Sequence, residues 1–157
     1  MKAGQGRGVS WGSVALGWLV AVLAGAGIRA LLGGLYGSVA GLPAGTTDAT
    51  AVVLALVSGF LAYLLGGFTA GRFSGHSGAL NGAMTAVLGL VLGLVASAVL
   101  ASSGAVLAWG VAVPPANFGL GREALAAGLL LFLSDLFGGY VGGELAEPAR
   151  PAPRRLG

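Results

Sequence analysis

Asp135 lies deep in the apolar run Leu129-Leu130-Leu131-Phe132-Leu133-Ser134-Asp135-Leu136-Phe137. It is about nine residues, or roughly 13 Å of helix, from the end of that run at Glu144. An ionised Asp at the centre of a bilayer-spanning helix costs about 2.5–3.5 kcal/mol on insertion scales. Such a residue faces a bundle interior or a hydrated cavity. It acts there as a proton or cation site, or as a polar contact between helices. The structural reading is favoured, because no other polar group in the sequence marks a pathway. Tyr63 falls at the same depth of an equivalent segment and is the first partner to consider. A phenol donates to an ionised carboxylate and accepts from a protonated one, so it serves either state.

Other reactive groups are few. Gly75-His76-Ser77-Gly78 has the G-x-S-G form of a serine nucleophile motif and resembles that of rhomboid-like intramembrane proteases. Nucleophile and base must converge in space. Here the one histidine in the chain is adjacent to the serine, in a short turn. Ser74 and Ser77 are therefore expected to shape that turn and cap the helix after it. There is no cysteine, which excludes disulfides and thiolate chemistry. No H-E-x-x-H, P-loop or paired metal-ligand spacing occurs. The expectation is no enzyme, no cofactor and no metal. Arg29 sits near one membrane boundary, where its guanidinium can snorkel outward. Arg72 and Glu144 are read as stops at the headgroups.

The composition says what must surround these groups. Of 157 residues, 56% are hydrophobic and 8% charged, against about 25% charged in an ordinary soluble domain. Eight basic and five acidic side chains cannot cover a fold of this size in water. Lipid must be the solvent for much of the surface. The 31 glycines follow no Gly-X-Y period, which excludes a collagen-like chain. A sequence pI near 10.0 rests on a net charge of only +3, which suits the inner face of a membrane better than nucleic acid. Arg over Lys, with Ala, Gly, Leu and Val dominant, points to a high-GC bacterial genome.

Four apolar segments are expected as transmembrane helices, at about 11–32, 49–71, 78–101 and 122–143. Each is long enough to cross a hydrocarbon core of about 30 Å. The runs are continuous, not the alternating ten-residue segments of a membrane β-barrel. The fold class is all-α: a polytopic membrane protein, one domain over 1–145, with 146–157 a disordered tail. The basic start and Ala24-Gly25-Ala26 resemble a signal peptide, but the run is long for one and more membrane segments follow. Thr46, Thr47 and Asp48 supply cap chemistry for the second helix. Residues 104–113, with Trp109, are too short to span and are read as interfacial or re-entrant. Lys2, Arg7, Arg72, Arg150, Arg154 and Arg155 fall on one side, Arg29 and Arg122 on the other. The positive-inside rule then puts both termini in the cytoplasm.

An internal repeat orders the segments. Phe60-Leu61-Ala62-Tyr63-Leu64-Leu65-Gly66-Gly67-Phe68-Thr69-Ala70-Gly71-Arg72 aligns without gaps on Phe132 to Glu144. Tyr63 matches Asp135, Gly67 matches Gly139 and Gly71 matches Gly143. Gly8-x-x-x-Gly12 and Gly78-x-x-x-Gly82 relate the first and third helices more loosely. The molecule is thus expected to be two similar helical hairpins in one orientation, as in parallel-repeat membrane proteins. Gly67 with Gly71, Gly89 with Gly93, and Gly139 with Gly143 are the candidate helix-packing faces, since glycines four apart admit a neighbouring backbone. Association of this kind extends to a possible homo-oligomer or membrane partner protein. A transporter or channel for protons or cations, using Asp135, is the competing reading.

Gly66-Gly67-Phe68-Thr69-Ala70-Gly71-Arg72, followed by a glycine-rich turn, resembles small bacterial integral membrane proteins with four helices. In that group a Gly-Gly-x-x-Ala-Gly-Arg element ends the second helix. The resemblance covers residues 60–82 and the helix count. It implies a membrane location, no assigned activity and no role for an acid in the fourth helix.

Overall fold

The computed structural model describes residues 8–36, 49–103 and 122–147. Its elements are α1 (Trp11–Tyr36), α2 (Ala49–Ser74), α3 (Gly78–Ser103) and α4 (Arg122–Leu145). Among the described residues all regular structure is helical. Each helix holds a stretch long and apolar enough to cross a membrane: Trp11–Ile28, Val52–Ser74, Gly78–Ala96 and Ala126–Leu145. The Pro43 connection, the Thr46–Asp48 cap, the Trp109 patch and residues 148–157 lie outside the described residues. So do the side chains of Arg29 and Arg122.

All four helices run past their expected ends, to Tyr36, Ser74, Ser103 and Leu145. The sequence estimate counted apolar residues, whereas helix ends are set by backbone hydrogen bonds. α2 stops where Gly75 turns left-handed at φ +67°, the usual way to end a helix. The Ser74 hydroxyl donates to Gly71 O and contacts His76 O, both at 2.9 Å, and fixes that turn. Residues 146 and 147, expected to belong to the tail, are part of the bundle. Ala146 is buried and donates its amide to Gly142 O at 3.2 Å, while Glu147 reaches α3.

α2 is the centre of the bundle, packed on α4, α1 and α3. α4 also packs along α3, α1 meets α3 over a shorter length, and α1 and α4 barely touch. The register of contacts gives the directions. Gly17 and Gly25 of α1 meet Gly66 and Ala62 of α2, an antiparallel pair. Gly67 and Gly71 of α2 meet Gly139 and Gly143 of α4, a parallel pair.

The interior contains few large side chains. Among the described residues the buried apolar ones are Val14, Ala21, Ala62, Ala70, Ala86 and Ala146. The bulky ones point outward, with Leu23 72% and Phe137 61% exposed. Water-soluble folds bury such residues. A surface of Leu, Val and Phe fits hydrocarbon, where association rests on close backbone packing and not on apolar burial.

Candidate functional site

Glycines bring α2, α3 and α4 together at one end of the bundle. A methyl group on Gly139 would lie 2.5 Å from Gly82 O. One on Gly67 would lie 2.7 Å from Gly139 Cα. One turn further, Gly71 faces Gly143 O at 2.7 Å, and Gly143 packs on Gly78. On the other flank of α4, Gly138 faces Phe60 O at 2.5 Å and Gly142 packs on Leu64 O. Real Cβ atoms essentially never approach this closely, so only glycine fits these positions without a shift of backbone. Phe60 and Phe137 cover this contact, with ring centroids 6.2 Å apart.

The Gly-Gly-x-x-Ala-Gly element acquires a physical meaning here. Gly66 and Ala70 share one face of α2 and receive Gly17 of α1. Gly67 and Gly71 share the adjacent face and receive α4. A doubled small-xxx-small pattern lets one helix pack closely on two neighbours at once.

A polar clamp ties the same end. Asn81 is fully buried. Its Nδ2 donates to His76 O at 3.1 Å and to Ser77 O at 3.0 Å. Its Oδ1 accepts from the Ser10 amide at 2.7 Å. Ser10 precedes α1, accepts the Val14 amide, and its hydroxyl meets that of Ser13 at 3.0 Å. One side chain thus joins the start of α1 to the α2–α3 turn. His76 adds a contact from Nε2 to Gly8 O at 3.1 Å. Thr85, also fully buried, donates to Asn81 O at 3.1 Å and lines the Gly17 contact. The first amide of α3, at Gly78, donates to Glu147 Oε1 at 2.5 Å. The side-chain cap of α3 expected from Ser77 is therefore supplied by Glu147, just beyond the end of α4. Ser77 itself takes φ +50°, outside the extended geometry that a capping serine uses.

Away from this end the helices diverge around a partly open cleft of about 760 Å³. Its polar lining residues are Trp18 of α1, Ser58 and Tyr63 of α2, and Asp135 of α4. The rest of the lining is Ala, Gly, Val, Leu and Phe. The Ser58 hydroxyl is turned back onto Ala55 O at 3.1 Å. Asp135 lies against Gly59: a methyl there would collide with Oδ1 and sit 3.3 Å from Cγ. Tyr63 lies against Gly89, where a methyl would collide with the hydroxyl and sit 3.3 Å from Trp18 Cδ1. Next to Asp135, the Ser134 hydroxyl reaches Leu56 O at 3.4 Å.

The sequence-derived residues are thus distributed over two places. Asp135 and Tyr63 line one cleft, each seated on a glycine of a neighbouring helix. Gly67, Gly71, Gly139 and Gly143 meet at the closed end. Gly89 and Gly93 line the cleft, and Gly89 receives a side chain, not a backbone. Arg72 and Glu144 are exposed, each one residue beyond the Gly71–Gly143 contact. Sequence reasoning overlooked Asn81, Glu147, Gly59, Trp18 and the Gly17–Gly66 approach. Only Asn81 carried a signal, as an amide side chain within the first turn of a membrane segment.

Comparison with protein-family models, with curated proteins and with solved structures finds no match to this chain. What the fold itself defines is a class: among the described residues, an all-helical protein with four helices long and apolar enough to cross a membrane.

Proposed function

We propose that this is a multi-pass protein of the bacterial inner membrane, with both termini cytoplasmic. It acts without catalysis, as a structural or accessory helix bundle for itself or a partner protein. The observation that carries the reading is the glycine-sealed end. Gly67, Gly82 and Gly139 bring three backbones into contact there, and Gly71, Gly78 and Gly143 repeat it one turn away. Backbone against backbone closes that end between α2, α3 and α4. The two-hairpin repeat belongs to the same proposal. It is supported by Gly67 on Gly139 and Gly71 on Gly143, which are matched positions of the two halves.

A transporter or channel for protons or cations is the second reading, favoured by Asp135 in the wall of the cleft. Purified protein in liposomes separates the two. The scaffold reading expects proton and cation flux no higher than in protein-free liposomes. Flux that disappears in Asp135→Asn would replace it with the transporter reading.

A further inference from the structure

Three contacts set the register of α1 against α2. A Cβ on Gly17 would lie 2.8 Å from Ala70 Cβ, one on Gly66 would lie 2.8 Å from Ala21 Cβ, and one on Gly25 would lie 3.5 Å from Ala62 Cβ. Gly17, Ala21 and Gly25 thus step along α1 in fours while Ala70, Gly66 and Ala62 step back along α2. Residues four apart share one helix face. The next step on that face puts Arg29 level with Ser58. Ser58 lies within the apolar stretch Val52–Ser74 and lines the cleft. α1 continues past Arg29 to Tyr36, roughly 10 Å of helix. The α1 backbone therefore holds Arg29 deeper than a residue at the headgroups.

α4 brings Asp135 to the same level. Its carboxyl group lies against Gly59, the residue after Ser58. The adjacent Ser134 hydroxyl reaches Leu56 O, which fixes the same register of α4 on α2. The other acids of α4 are far from this level: Glu123 and Glu144 lie about 18 Å and 13 Å along the helix from Asp135. A lone charge is costly at such depth, and intramembrane charges pair with one another. We propose that Arg29 and Asp135 are charge partners inside the membrane and latch α1 to α4. These two helices otherwise barely touch, so the pair supplies the link that helix packing leaves out. A guanidinium matches a carboxylate through two parallel hydrogen bonds, a geometry that lysine lacks. The latch goes beyond the scaffold reading and gives the acid in the fourth helix a use that requires no transport.

The test is a double-mutant cycle on the full chain in an uncharged detergent, read as folded yield and unfolding midpoint. Arg29→Gln and Asp135→Asn each leave one charge uncompensated, and each should lower both readings. The double variant Arg29→Gln/Asp135→Asn leaves no charge behind and should recover most of the loss. Arg29→Lys keeps the charge and should fall between Arg29→Gln and the unaltered chain. Glu123→Gln is the control for the identity of the partner, and its effect should simply add to that of Arg29→Gln. Single variants that fail to fold beside a double variant that folds would support the latch as well. A harmless Arg29→Gln, losses that add in the double variant, or rescue of Arg29→Gln by Glu123→Gln would each overturn it. Ion flux in liposomes would overturn the scaffold reading instead, so the two failures are distinguishable.

Discussion

Asn81 holds together segments that the chain separates by 71 residues. A buried amide is costly unless its donors and acceptor are satisfied, and here each has a partner. Asn81→Leu removes the clamp and strands the Ser10 amide at the start of α1. The expected loss is about 1–3 kcal/mol, the usual consequence of an orphaned buried polar group. It should appear as a lower unfolding midpoint in detergent. Asn81→Asp keeps the acceptor but turns a second carboxylate oxygen onto the His76 and Ser77 carbonyls, and should cost at least as much. Thr85→Val removes only a bond within α3 and should be the mildest of the three. A midpoint unmoved by Asn81→Leu would show that the turn and α1 are joined by packing alone.

At the scale of the helix, the glycines divide by what they face. Gly12 and Gly27 have nothing within 4 Å of a Cβ position, while Gly67, Gly82, Gly139 and Gly143 face backbone. Adding a methyl to Gly139 forces α4 away from α3, and overpacking of this kind costs about 1–3 kcal/mol. Leu at Gly67 or Gly139 should go further and separate the helices, with a loss of folded or oligomeric yield. Gly27→Ala is the matched control and should be neutral or slightly stabilising, because alanine is the better helix former. Equal damage at Gly27 and Gly139 would dispose of the packing face. Ala62 is no such control, because it is itself buried, against Gly25.

The whole bundle is tight at the end that gathers residues 8–10, 74–82 and 143–147, and open where the cleft lies. If both termini are cytoplasmic, the tight end faces the cytoplasm and the cleft lies toward the outer leaflet. The chain has no cysteine, so single-cysteine variants give a clean reading of this topology. Ser103→Cys should react with an impermeant maleimide in intact cells, and Ala152→Cys should react only after the membrane is opened. Labelling at 152 from outside would invert the molecule. The two halves are not used alike either: α3 packs on both α2 and α4, whereas α1 lies on α2 and scarcely meets α4.

Composition and run length by themselves determined the four helices. A helix satisfies its own backbone hydrogen bonds, so an apolar run of sufficient length needs no distant partner to define it. The matched glycines were legible for a related reason. In parallel helices related by a repeat, equal positions lie opposite one another, as Gly67 and Gly139 do. The rest depended on contacts between residues far apart in the chain. Nothing local distinguishes Gly27, which faces open space, from Gly59, which seats a carboxyl group, or Gly89, which seats a phenol. Nothing local says that Glu147 caps α3, or that Asn81 reaches Ser10. Helix formation is a property of each segment's own hydrogen bonds and solvent. Which faces meet, and where they part to leave a cleft, is a property of four surfaces fitted together, and only the tertiary structure decides it.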